Sequence, residues 1–287
     1  MGPRRTGNVL RRPTVRPAVD GSVVLRAEVE HEMRYFKGTI ALSAEKDLPL
    51  LRQVMYSKYV TQTQLWLFMR HSGCEESRGA FLWRAKRLAD HGFIARHVLP
   101  MVHRDPILAI AASGVVYLVE NFGVTYSGPD AGPEVPSDGA GVAHAVGVNA
   151  VHLDLLRTGN LVSWENEMEI RCRNESEGSQ YAKEYDAIVT LSLGGRQLRV
   201  ALEYERTPKT KAEYDNIVAT LARERNVGGV LYLADTSHIR SLLLDRFSRK
   251  SARVFIALAR DLRRGELSDL DVVDAQAMRA GRLIDIP

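Results

Sequence analysis

The chain is 287 residues long, 45% apolar and 26% charged, with a formal net charge of +4 at pH 7. That length and apolar content allow one large or two ordinary domains with proper cores. Two cysteines, Cys74 and Cys172, stand far apart in sequence, which gives no zinc site or disulfide framework and suits a reducing cytoplasm. No apolar h-region follows the N-terminal arginines, and the apolar stretch 106–119 is too short to span a bilayer, so neither a signal peptide nor a membrane partner is expected.

Charge is unevenly spread: residues 1–127 hold 18 Lys/Arg against 11 Asp/Glu (+7), and the remainder hold 21 against 24 (−3). The first half therefore favours a polyanionic partner. Within it, residues 1–44 read as a basic arm. Arg4, Arg5, Arg11, Arg12 and Arg16 lie among prolines and glycines that can bury little, which suits either a DNA-contacting arm or a solubilising tail.

From residue 45 the pattern becomes periodic. Leu48, Leu51, Val54 and Met55 recur at helical spacing; Thr61 is a good N-cap for a second helix over 62–69; and a third helix over 75–91 follows the turn His71-Ser72-Gly73 and stops at Gly92. Three helices with a glycine turn before the last are the helix-turn-helix plan. Projected at 100° per residue, the third helix carries Phe81, Leu82, Ala85, Leu88 and Ala89 on one side and Trp83, Lys86 and Arg87 on the other, with Arg78 near its start. A tryptophan between cations on an outer face suits a helix lying in a DNA major groove. Strands at 93–99 and 107–111 flank a loop containing Pro100, His103, Arg104 and Pro106, in the position of a wing, and a short helix at 113–121 completes the unit. Residues 45–122 thus resemble winged helix-turn-helix domains, which implies double-stranded DNA as partner and Arg78, Trp83, Lys86, Arg87 and Arg104 as contacts. Winged helices also serve as protein-interaction modules, and many act as homodimers on palindromic sites, although no dimer helix is identifiable here.

Residues 123–141 (GVTYSGPDAGPEVPSDGAG) are dense in Gly, Pro, Ser and Asp and read as a linker marking a domain boundary. The second domain, 142–287, is read as a helix over 144–157, a strand over 161–172, two hairpin strands, a helix over 208–225 and an apolar strand over 229–234. A further helix over 238–249 capped by Ser237 and a strand over 252–259 read as peripheral extensions, and 260–287 carries no clear pattern. The fold class expected is α/β, α+β overall.

The chemistry-bearing stretch is 184–214. Asp186 opens a β-branched strand, Gly194-Gly195 supplies a two-residue turn, and the return strand ends in Glu203 and Glu205, which share a face. Carboxylates at the end of an apolar strand cost several kcal/mol, of order, unless a cation compensates. A hard divalent ion is one such cation, since Mg2+ is commonly held by one or two carboxylates plus water and phosphate. Thr207 as N-cap and Pro208 at the first helical position place Lys209 and Lys211 within a turn or two of the acids. A solvated or ion-paired strand end is the bland alternative.

This pattern resembles the PD-(D/E)xK nuclease-like superfamily, whose α-β-β-β-α-β core the element order matches. The resemblance implies Asp186 and Glu203 as the two acids, Mg2+ as cofactor, and lysine where this chain has Glu205; Lys209 or Lys211 would bring that charge from the following helix. Glu165, within Trp164–Glu167, is a candidate upstream acid. Winged helix, linker, the W-x-x-E stretch, the D-A-I-V strand and the run ALEYERTPKTKAEYDNIV together resemble the replication-relaxation family of bacterial mobile-element proteins over roughly residues 45–235. That resemblance implies a DNA-binding protein of plasmid replication, relaxation or transfer, acting with other such proteins. Two readings stand: a Mg2+-dependent DNA endonuclease using Asp186, Glu203, Glu205, Lys209 and Lys211, or a non-catalytic DNA-binding accessory factor or regulator with a degenerate nuclease fold. No phosphate loop, dinucleotide fingerprint, paired-histidine zinc motif or nucleophile elbow is present.

Overall fold

The computed structural model describes residues 40–126, 139–178, 180–248 and 253–286. Most of the basic arm and residues 127–138 of the linker interval lie outside the described residues. The chain is mixed α/β, with eight α-helices and two sheets among the described residues.

The N-terminal unit runs α1 (Asp47–Tyr56), β1 (Val60–Thr61), α2 (Gln62–His71), α3 (Arg78–Asp90), β2 (Ile94–His97), β3 (Ile107–Ile110) and α4 (Ala112–Phe122). Its three strands form an antiparallel sheet in the order β1-β3-β2. Thr61 caps α2 through a reciprocal box with Gln64, satisfying two otherwise orphaned N–H groups. Helix α3 begins three residues later than its apolar pattern suggests, where the Ser77 hydroxyl accepts from the Ala80 N–H. Leu50, Leu51, Val54, Leu65, Phe81, Leu88 and Leu118 interlock as one core. Fully burying each such side chain contributes about 1.5–3 kcal/mol.

The second unit runs α5 (Ala140–Thr158), β4 (Leu161–Asn166), α6 (Glu167–Glu177), β5 (Ala187–Leu193), β6 (Arg196–Glu205), α7 (Lys211–Leu221), β7 (Val230–Ala234), α8 (Ser237–Phe247), β8 (Val254–Leu258), β9 (Asp271–Asp274) and β10 (Arg279–Arg282). The strands form a single seven-stranded sheet, β10-β9-β8-β7-β6-β5-β4, in which β6, β7 and β8 are parallel and the flanking pairs antiparallel. Side-chain alternation splits β6 between two layers. Val200, Leu202 and Tyr204 face Val151 and Leu155 of α5, and Ala201 faces the layer that includes Tyr214, Leu221, Ile239, Leu243 and Phe247 of α7 and α8. Gly147 lets α5 seat on that first layer, because a Cβ there would lie 2.1 Å from the Tyr204 ring.

Three expectations are corrected. The strand over 161–172 ends at Asn166, whose side chain accepts from Met168 and Glu169 while Glu169 reaches back to its N–H, so a capping box turns the chain into α6. The helix expected to start at Thr207-Pro208 starts at Lys211, because Thr210 and Glu213 form a reciprocal box. The strand at 252–259 and the patternless C-terminus are integral: β8, β9 and β10 extend the main sheet.

The two units share side chains. Met168 of α6 belongs to the N-terminal core, Phe68 meets His152 at 5.0 Å, and the Asn149 carboxamide donates to Tyr59 O at 2.9 Å. Gln64 Nε2 donates to Val146 O at 2.8 Å. Helix α5 therefore serves as wall to both.

Candidate functional site

The β5–β6 hairpin turns through Gly194 and Gly195 at φ of 55° and 83°, left-handed positions that favour glycine. That two-residue turn sets the register Leu193↔Arg196 through Ala187↔Leu202. One further step along the ladder brings Asp186 across from Glu203. Asp186 Oδ2 accepts the Tyr204 N–H at 2.7 Å, and its Oδ1 lies 2.8 Å from His144 Nε2 on α5. Burial alone would raise the Asp186 carboxyl, but the His144 hydrogen bond and charge and the Tyr204 N–H hold it below its ordinary value. Burial would likewise lower His144, and Asp186 reverses this to raise it.

Glu203 is buried and lies 2.7 Å from Lys183 Nζ. Burial pushes its carboxyl up to about 7; Lys183 opposes the shift and the Asp186 charge reinforces it. Beside it in register is Tyr232 of β7, fully buried, whose hydroxyl has no hydrogen-bond partner among the described residues. Glu205, also buried, pairs with Lys209 in the loop before α7. Lys211 is exposed at the first residue of α7. Each acid of the expected trio thus has its own base: His144 for Asp186, Lys183 for Glu203, Lys209 for Glu205. Glu165 stands apart, bonded to Tyr181 and Arg173.

His144 and Lys183 escaped sequence reading because neither lies on the hairpin. His144 is brought in by the close seating of α5 at Gly147, and Lys183 by the bend before β5. Among the described residues no group of three or more His, Cys, Asp or Glu side chains is disposed to hold a metal ion. Asp186 and Glu203 are nonetheless hard oxygen donors, and Mg2+ needs only one or two carboxylates because it keeps several waters. A cavity of about 380 Å3 opens beside Asp186 and His144, with Lys58, Glu167 and Trp164 on its walls. There Trp164 stacks flat on His152 at 4.0 Å, and burial pushes His152 down to about 3, so it is neutral.

On the N-terminal unit, Trp83 is 60% exposed on the outer face of α3. The Arg87 guanidinium lies over its ring at 5.0 Å, and Lys86, exposed, pairs with Asp90 at 2.5 Å. Arg78 and, in the β2–β3 loop, Arg104 are exposed as well. Arg87 is turned inward relative to the helical projection. It shares the fully buried Asp47 with Arg84, which also bonds Glu75. Burial would raise the Asp47 carboxyl; the Ser43 N–H and the two guanidinium groups outweigh it and hold it below its ordinary value. No helix among the described residues is long and apolar enough to cross a membrane.

Comparison with family models, with curated proteins and with solved structures finds no match to this chain.

Proposed function

We propose that the protein binds duplex DNA through α3 and the β2–β3 loop, as a winged helix does, and serves in replication, relaxation or mobilisation of DNA. The observation that carries this reading is the outer face of α3, where an exposed Trp83 under the Arg87 guanidinium is flanked by Arg78 and Lys86. Asp47 fixes Arg87 from behind, so the guanidinium plane meets the groove already ordered and little side-chain entropy is lost on binding. Lys86 would exchange Asp90 for a phosphate, and Arg104 would reach the flanking backbone. The succession of helices and the strand order β1-β3-β2 support the winged-helix assignment. Trp83→Ala/Lys86→Ala should weaken anisotropy-detected binding to duplex DNA roughly tenfold and reduce the salt slope by about 0.9, the share of one phosphate contact. Unchanged affinity in that variant would sink the reading.

A second reading concerns the sheet unit: a nuclease-like domain with Mg2+ held by Asp186 and Glu203, next to Glu205. It is favoured by the cross-strand meeting of Asp186 with the buried Glu203, whose carboxyl burial and the Asp186 charge push up to about 7 even with Lys183 beside it. Bound Mg2+ would supply charge neutralisation at a phosphate and acidify its own water. The chain's residues then have defined tasks. His144 orients Asp186, Tyr204 N–H fixes its second oxygen, and Lys183 supplies the positive charge beside Glu203 that the pattern lacks at Glu205. Metal-dependent nicking of supercoiled plasmid, lost in Glu203→Ala with duplex affinity retained, is the expected result. Binding without nicking in both proteins would leave a DNA-binding accessory factor.

A further inference from the structure

Helix α5 has two lined sides. One, through His144, Val148 and His152, borders the cavity at Asp186. The other, through Val146, Ala150, Leu153 and Arg157, borders a separate groove of about 600 Å3 between α5 and α2 that shares no lining residue with the first. Those four positions lie at i, i+4, i+7 and i+11, one stripe of a helix.

The groove is amphiphilic. Its floor is aliphatic, from Leu67, Leu153 and Leu156, and Leu67 is 40% exposed. Its rim is cationic, with Arg70 from the last turn of α2, Arg157 from α5 and Arg263 from the 3-10 turn after β8, set against Asp154, the one acid lining it among the described residues. Three guanidinium groups against one carboxylate leave two net positive charges. Asp154 does not silence its partners. Arg157 gives it one terminal nitrogen and Arg263 gives it Nε, and both arginine side chains stay more than half exposed while held by a nearly buried anchor. His71 and His103, both exposed, place two imidazole rings on the same groove from α2 and the β2–β3 loop.

We infer that this groove binds a short run of single-stranded DNA, phosphates on the Arg70–Arg157–Arg263 rim and bases on the leucine floor and imidazole faces. The match is chemical: a single strand presents planar bases beside a regular line of phosphates, and single-strand sites combine a cationic track with platforms for bases. Guanidinium forks rather than ammonium groups at all three rim positions suit bidentate phosphate contact. A recess between two helices admits bases one at a time, whereas a duplex keeps its bases stacked inside. The groove is distinct from the α3 face, and its assignment stands independently of the duplex reading.

The experiment is fluorescence anisotropy of an oligothymidylate of about 12 nucleotides, a length within single-strand site sizes, titrated with the full chain, with Arg70→Ala/Arg157→Ala and with Trp83→Ala/Lys86→Ala. The substituted arginines are exposed, and Asp154 keeps Arg263 as its partner, so both variants should melt with the parent protein. Arg70→Ala/Arg157→Ala should lose roughly tenfold or more in oligothymidylate affinity and about 1.4 in salt slope, near 0.7 per lost contact, with duplex affinity unchanged. The α3 variant should show the reverse. Oligothymidylate affinity unaltered by the groove substitutions, or duplex affinity falling with it, overturns the inference. So does capture of a Leu/Glu amphipathic helical peptide in preference to the oligonucleotide, which would give the groove to an acidic protein partner.

Discussion

Replacing Glu203 with glutamine measures what the buried acid costs the fold. In the folded chain this carboxyl is pushed from its ordinary 4.5 up to about 7, chiefly by burial. Between those pH values the unfolded chain has released the proton and the folded chain still holds it. The contribution of Glu203 is therefore full below pH 4.5 and declines as pH rises to about 7. At 1.36 kcal/mol per pH unit the gap amounts to ~3 kcal/mol, an order-of-magnitude figure. Glutamine has the shape of the protonated acid and nothing to ionise. Glu203→Gln should match the parent protein near pH 4.5 and exceed it by ~3 kcal/mol at pH 8, read from urea unfolding followed by far-ultraviolet circular dichroism at both pH values. Adding Mg2+ at pH 8 should narrow the difference by stabilising only the parent, because a ligand stabilises the state that binds it. A variant no more stable than the parent at pH 8, or a gain equal at the two pH values, would refute the reasoning, since charge desolvation must be pH-dependent and packing need not be.

Two further substitutions test the scaffold. Asp47→Ala removes the carboxylate that both Arg84 and Arg87 share in the N-terminal core and should cost about 3–5 kcal/mol near neutrality, as removal of one partner from a buried ion pair does. Because the Asp47 carboxyl is held below 3.8, the parent's advantage should persist at every pH above that value and fade only below it. A thermal melt within about 2 °C of the parent, the scale of 1 kcal/mol or less in a chain this size, would count against it. Gly147→Ala places a methyl group 2.1 Å from the Tyr204 ring. It should destabilise by about 1–3 kcal/mol through overpacking, and a neutral result in urea unfolding would show that α5 can lift without penalty.

The hairpin carrying Asp186 and Glu203 was legible because local rules coincide there: apolar alternation, a Gly-Gly turn and a two-residue register. Helix α2 was legible for the same reason, with Thr61 and Gln64 writing its start. Elsewhere two local signals competed. Thr207-Pro208 looks like a helix start, but Thr210 with Glu213 three residues on satisfies two N–H groups reciprocally, and the later cap prevails. Asn166 and Glu169 carry the same kind of signal for α6, whose polar sequence hides it. The partners of the acids were not legible. His144 lies 42 residues from Asp186 in sequence, and only tertiary seating joins them. Arg87 looked outward by helical projection because the buried acid that claims it sits 40 residues upstream. Strands β9 and β10 are short, and their conformation is imposed by pairing, β9 on β8 and β10 on β9, rather than by propensity.

The C-terminal strands also decide how the sheet ends. β8 reads VFIAL, every residue buried and none charged, and such a segment left as a border would be a template for pairing with another molecule. β9 covers one of its edges over Phe255 and Ile256, and β10 then forms the actual border: four residues, with Arg279 and Arg282 at its ends and Gly281 within. Short, cationic and interrupted by glycine, it offers an incoming strand little to hold. Residues 271–282 thereby keep the wholly apolar β8 from standing as the open edge of the sheet.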